Sequence, residues 1–182
     1  LERAEALENR GIAYRESGEL EKSIEDLGAS VALSNDTAAM RMLAWTYRTA
    51  GRFEDAENLY SRILAEDKHE QGWLSRCVVR QDLRKYEEAL TDCNEALRLN
   101  SENLDTLFVT AHVLSILERP TAALPLTKRA MMLAPNDVRH LVENVWSLHQ
   151  LGRTFEARKK AKRGLVRFPD DSDLVLFLDQ TK

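Results

Sequence analysis

The sequence of this 182-residue chain predicts an all-α fold, an α-solenoid of about five antiparallel helix pairs closed by a short C-terminal capping helix. Three observations carry that expectation. A glycine with a small residue five positions on recurs as Gly18–Ser23, Gly51–Ala56 and Gly152–Ala157. With Ala89 and Ala123 in the same phase, the small residues are spaced by 33, 33, 34 and 34. A period in that range marks a repeat array whose units share a core with their neighbours. Each unit also carries two apolar stripes at helical spacing, and turn or helix-capping residues punctuate the joins.

The elements follow from that ruler. The first unit, 4–36, predicts helices over 4–17 and 20–33, either side of Gly18. In the second, 37–69, Met40, Leu43, Ala44 and Tyr47 fall on one face of a helix over 37–50, and Phe53, Ala56, Tyr60, Ile63 and Leu64 on one face of another over 53–66. Gly51 lies between them, where a left-handed helix-ending conformation costs glycine least. Ala56 supplies the position without bulk that two closely crossing helices need. The third unit, 70–103, predicts helices over 70–83 and 86–99, with Arg84 in the glycine slot. The fourth, 104–137, predicts 104–117 and 120–133, with Glu118 in that slot. Pro120 suits a helix start, but Pro125 falls a turn in, removes a donor and pushes Leu124 away from helical angles. That helix is therefore expected to begin late or to kink. The fifth unit, 138–171, predicts 138–151 and 154–167. A capping segment over 172–180 puts Leu174, Phe177 and Leu178 on one face, against the apolar end of the last pair. Asn35-Asp36-Thr37, Asn100 to Asn103, Pro135-Asn136-Asp137 and Pro169 to Ser172 supply turn and N-cap chemistry; Lys68-His69-Glu70 fills the place less clearly.

Composition narrows the class of work. The chain is 43% hydrophobic and 31% charged with net charge −4, ordinary for a soluble protein, and no apolar run approaches the roughly 18 residues of a membrane span. It starts at Leu1 in mid-pattern, as a piece cut from a longer protein would, and it is silent on an upstream signal peptide or anchor. A cytoplasmic location is the expectation, with the periplasm as the alternative if a signal peptide precedes the piece. Cys77 and Cys93 are too few for a disulfide framework and take small and core slots, where thiols act as small hydrophobes.

The repeat residues resemble the tetratricopeptide repeat, a helix-turn-helix unit of about 34 residues. The first copy carries Leu7, Gly11, Tyr14, Gly18, Leu20 and Leu27 in phase, the third Trp73, Tyr86, Ala89, Ala96 and Leu97, the fourth Ala111, Ala123, Ala130 and Pro135, and the fifth Leu141, Gly152, Ala157 and Pro169. Arg76-Cys77, Thr110-Ala111 and Asn144-Val145 replace the family's leucine-glycine step, and Ser30 and Gly164 its second alanine. The resemblance covers about residues 4–180. It implies a right-handed superhelix acting as a protein–protein interaction scaffold, with a partner peptide or helix held in a concave groove lined by the first helix of each pair.

Carried over by phase, the groove positions include Ile12 on the first unit, Arg41, Trp45 and Arg48 on the second, and Leu74 and Val78 on the third. Phe108 and His112 follow on the fourth, and Arg139, Val142, Trp146 and His149 on the fifth. Glu8, Arg15, Gln81 and Ser115 flank them. One row, Ile12, Trp45, Val78, His112 and Trp146, is mostly apolar. Trp45 and Trp146 either anchor a ligand, with arginines pairing to its acidic groups, or fill the gap to a neighbouring helix. In co-chaperones of this family that hold a chaperone's C-terminal carboxylate, polar and basic residues occupy positions that here are Glu8, Ile12, Met42, Gln71 and Ser75. The clamp is absent, and Glu8 would repel a carboxylate.

Charge is uneven along the chain. Residues 1–36 hold nine acidic and four basic groups, net −5, and residues 152–169 hold seven basic groups and Glu156, net +6. The basic helix is either a solvated outer helix or a contact for nucleic acid, an anionic membrane surface or the acidic end of another copy, which would give weak self-association. Nucleic acid is disfavoured because no aromatic platform interleaves the lysines. No nucleotide-binding, metalloprotease or nucleophile-elbow motif is present, and His69, His112, His140 and His149 have no ligand spacing. The expectation is a scaffold that is not an enzyme and uses no cofactor or metal. The alternative is a docking or regulatory domain of a larger enzyme.

Overall fold

The computed structural model describes residues 2–181 and contains helices and no strand among them. In chain order they are α1 (Glu2–Glu16), α2 (Leu20–Ser34), α3 (Thr37–Thr49), α4 (Phe53–Glu66), α5 (Glu70–Asp82), α6 (Tyr86–Leu99), α7 (Leu104–Ile116), α8 (Pro120–Leu133), α9 (Val138–Gln150), α10 (Thr154–Arg167) and α11 (Ser172–Gln180). The architecture is an α-solenoid of helix pairs. None of the described helices is long and apolar enough to cross a membrane.

The chain divides into two compact units, Leu1–Asp92 and Cys93–Lys182, the division falling within α6. In the first, α1 to α5 pack in succession around Leu27, Met40, Leu43, Ala56, Ile63 and Val79. In the second, α7 to α11 pack in succession around Leu141, Val145, Leu148, Ala157, Leu174 and Phe177. The small anchors Ser23, Ala56, Ala89, Ala123 and Ala157 are all fully buried, which is what a close-approach position requires.

Each pair turns through the same helix-ending motif. At Gly51 φ is +74°; its amide donates to Arg48 O at 3.1 Å and the next amide, of Arg52, to Tyr47 O at 2.8 Å. These bonds satisfy carbonyls that the helix end leaves without a partner. Arg84 and Glu118, in the glycine slot of the third and fourth turns, adopt the same left-handed conformation at φ 59° and 55° and make the same two bonds. Between pairs, Asp36, Asn103, Asp137 and Asp171 each accept a backbone amide at a helix start, whereas His69 makes no such bond. The turn chemistry is local, so the sequence locates it within about two residues.

Two expectations need correction. Of the two outcomes expected of Pro125, a late start or a kink, the late start does not occur: helix α8 starts at Pro120, the N1 position where a missing amide costs nothing, and stays helical through Pro125 to Leu133. Leu124 stays helical and buried, and its carbonyl accepts the Thr127 hydroxyl at 3.0 Å. Burial of Ala123, Leu124 and Thr127 in the core outweighs the preference set by the following proline. Cys77 and Cys93 are fully buried as expected, but neither is a free thiol, since both are disulfide-bonded. Reading each slot for volume alone overlooked that sulfur in a close-packed position also has a covalent option.

The slot that the family pattern gives to leucine is exchanged with its partner across the pair. In the second pair Leu43 and Leu59 occupy it and are both buried. In the first, Arg10 Nε and Nη2 donate to the two Asp26 oxygens at 2.6 and 2.7 Å. In the third, Arg76 forks onto Asp92 with two bonds of 2.8 Å, and Arg80 joins Asp92 at 2.9 Å and Glu57 at 2.8 Å. In the fifth, Lys160 donates to Asn144, which donates in turn to Thr127 at 2.7 Å. A buried charge needs a partner: Asp26 and Asp92 each have arginine, whereas half-buried Lys160 has only the neutral Asn144 amide, and burial pushes its pKa down.

Candidate functional site

The sequence places its candidate residues on the first helices of the pairs, and each unit carries one such surface. In the first unit the surface is built from α1, α3 and α5. Trp45 is 48% exposed, and the Arg15 guanidinium lies 4.1 Å from its ring centroid while one Nη donates to Met42 Sδ at 3.4 Å. A guanidinium over an exposed ring contributes about 0.5–1 kcal/mol and fixes the ring's orientation. Arg41, one turn before Trp45, is exposed and makes no ion pair among the described residues. Arg48, one turn after it, is held by Asp82 at 2.5 Å. Ile12 and Val78 are half-buried, and Leu74 is buried with 6% exposure. This surface therefore offers an accessible aromatic, a free cation and two partly accessible aliphatic side chains.

The second unit's surface, on α7 and α9, is satisfied internally. Phe108 stacks on His112 at 6.1 Å, meets His140 edge-on at 6.0 Å and lies under the Arg139 guanidinium at 5.4 Å. Arg139 also pairs with Asp137 at 2.7 Å and Asp105 at 3.3 Å. Glu143, with 7% exposure, accepts the Ser115 hydroxyl and faces His112 Nδ1 at 3.3 Å. The Glu143 hydrogen bond raises the His112 pKa above its ordinary value, against the opposing effect of burial. His140 is wholly buried with neither ring nitrogen hydrogen-bonded. Burial pushes its pKa down, and Asp137, 3.6 Å away, offsets part of that.

The two tryptophans occupy the same repeat phase but different environments. Trp146 is half-buried, with Phe177 of α11 edge-on at 5.0 Å; His149 lies 6.1 Å from Trp146 and 5.7 Å from Phe177, and its Nδ1 meets Thr154 Oγ1 at 2.9 Å. Val142 is half-buried beside them on α9. Trp146 is thus a packing residue under the cap, and Trp45 is the accessible one. Sequence reading missed Glu143, one position beyond Val142. Its signal was an acid at a phase where the other copies hold Asn9, Met42, Ser75 and Val109. At the carboxylate-holding positions, Met42 accepts from Arg15 and Gln71 donates to Ser75 at 3.4 Å; none of the five residues there is itself basic, and the cation that reaches them, Arg15, lies over the Trp45 ring. No group of three metal-ligating side chains occurs among the described residues.

A family model described as tetratricopeptide repeat matches residues 9–70 and again 41–103. The Hsp70/Hsp90 co-chaperone CNS1 of Saccharomyces cerevisiae is 36% identical over 67 residues, a stretch that makes up 34% of this chain and 17% of that protein. Among solved structures, a tetratricopeptide repeat protein from Parabacteroides merdae superposes with a TM-score of 0.92 at 18% identity, over 100% of this chain and 73% of that one. YrrB, described as a TPR protein with an unusual peptide-binding site, superposes with a TM-score of 0.79 at 15% identity, over 93% and 88% of the two chains. At these identities the structural likeness concerns the fold.

Proposed function

The chain belongs to the tetratricopeptide repeat family, whose helix pairs serve as scaffolds for protein or peptide partners, and on that premise we propose that its first-unit surface around Trp45 binds a partner peptide or helix. The observation that carries this reading is the accessible Trp45 ring, pre-oriented by Arg15 and flanked by unpaired Arg41. An aromatic anchor beside a free cation selects an apolar side chain next to an acidic one. Ile12 and Val78 extend the apolar contact. The surface does not act as a carboxylate clamp, because none of Glu8, Ile12, Met42, Gln71 and Ser75 is basic, Glu8 would repel a carboxylate, and the nearby Arg15 is engaged with Met42 and the Trp45 ring.

Capture of the partner from the native source by the full chain, followed by titration of the identified segment, tests the reading. Trp45→Ala should weaken that segment by about 2 kcal/mol or more, roughly thirtyfold in Kd, with the thermal midpoint nearly unchanged. Trp146→Ala should instead lower the midpoint. Amidating the C-terminus of the segment should leave its affinity as it was. Full binding by Trp45→Ala, or binding that depends on a free C-terminal carboxylate, would overturn the proposal.

A further inference from the structure

The outward faces of the second helices carry a pattern that the Trp45 surface does not use. On α10, Phe155, Lys159, Lys162 and Val166 stand at i, i+4, i+7 and i+11, within about 60° of arc and over about 16 Å of helix. All four are exposed, Phe155 at 84% and Val166 at 87%. A shallow depression of about 230 Å³ lies among Phe155, Arg158, Lys159 and Lys162. Neither lysine makes a hydrogen bond or ion pair among the described residues. Solvated charge explains lysines there, but not an aromatic and a valine left in water beside them.

The same four positions, counted from the small anchor of each pair, are Glu21, Glu25, Gly28 and Ala32 on α2. Glu21 and Glu25 are exposed and unpaired among the described residues. Gly28 and Ala32 border a cavity of about 490 Å³ whose wall includes Leu43 and Tyr47 of α3 and Leu59 of α4. A Cβ at Gly28 would meet nothing within 4 Å. The charge of this four-residue slot is −2 on α2, −1 on α4, 0 on α6, +1 on α8 and +2 on α10. Its ends are complementary in charge and also in bulk, small beside acid and large beside base.

We propose that α10 of one copy docks antiparallel on α2 of a second copy of this chain. In that register Phe155 lies opposite Ala32 and enters the cavity beside Gly28, and Lys162 stands between Glu21 and Glu25. Lys159 then faces Gly28 and Val166 faces Glu21; a parallel register would set the bulkier Phe155 against Glu21 and away from the cavity, and the antiparallel one also opposes the two helix dipoles. Because the acidic and basic stripes are different patches, each copy keeps one of each free for a further partner unless the arrangement closes. The contact is small and depends on charge, so it forms at low salt and high protein concentration.

Sedimentation velocity of the full chain tests this at about 0.01 M and about 1 M NaCl, between which the screening length falls from roughly 30 to 3 Å. The expected result is concentration-dependent growth in mass at low salt that high salt abolishes. Lys159→Glu/Lys162→Glu and Glu21→Lys/Glu25→Lys should each be monomeric at low salt, and mixing the two should restore association. Phe155→Ser and Ala32→Leu should weaken it at least tenfold. Trp45→Ala should leave it intact, which separates this contact from the peptide-binding surface. A wild-type chain that stays monomeric at low salt would overturn the proposal, as would association unaffected by the charge reversals. Binding to anionic lipid vesicles or to duplex DNA without self-association would assign the basic stripe to another partner and overturn it equally.

Discussion

His112 and His140 show how one unit can hold two imidazoles of opposite pH behaviour. Burial without a hydrogen bond holds the His140 pKa below its ordinary 6.5. Below that value the unfolded chain takes up a proton that the folded chain refuses, so this residue costs stability as pH falls. The Glu143 hydrogen bond holds the His112 pKa above 6.5. Its contribution is complete below 6.5 and is lost as pH rises through the folded value. Thermal melts at about pH 5 and pH 8 separate the two. Relative to the unsubstituted chain, His140→Phe should improve stability at the acid end, and His112→Gln should lower it there. The reverse ordering would show that neither ring is protonated as assigned. Neither environment was legible in the sequence, because His140 owes its burial and His112 its carboxylate to side chains about 30 positions away.

At the scale of the element, the five turns within pairs use one backbone solution with two kinds of residue. Arg84 and Glu118 adopt the left-handed conformation that Gly18, Gly51 and Gly152 adopt without strain. A side chain there costs about 1–2 kcal/mol, and glycine gives back about 0.4–1 kcal/mol of that through the entropy of the unfolded chain. Arg84→Gly and Glu118→Gly should therefore each stabilise by up to about 1 kcal/mol. A higher urea midpoint with unchanged slope would show it, and a lower midpoint would mean that the Arg84 or Glu118 side chain holds the turn by some other contact. These turns and the Asp36, Asn103, Asp137 and Asp171 caps were readable because they involve residues within a few positions of one another. The uninterrupted α8 was not, since tertiary burial of Leu124 and Thr127 decides whether Pro125 breaks a helix.

For the molecule as a whole, the end of the array is an energetic problem that α11 solves. Leu174 and Phe177 are fully buried against α9 and α10, and burying a side chain of that size contributes about 1.5–3 kcal/mol. Ending the chain after Asp171 should cost roughly 3–6 kcal/mol and expose Trp146. Its emission should shift to the red and the thermal midpoint should drop. A truncated chain with an unchanged midpoint would refute the capping role. By itself the sequence determined the helix pairs, their period, their turns and the family, because a repeat of 33 to 34 residues writes the same local chemistry five times. It also determined the phase at which Trp45 and Trp146 recur, but not their difference. Only the tertiary structure decided that Arg15 orients an accessible Trp45 while Phe177 packs edge-on against Trp146. Exposure depends on which helix lies beside a residue, and periodicity carries no information about a neighbour that differs from one unit to the next.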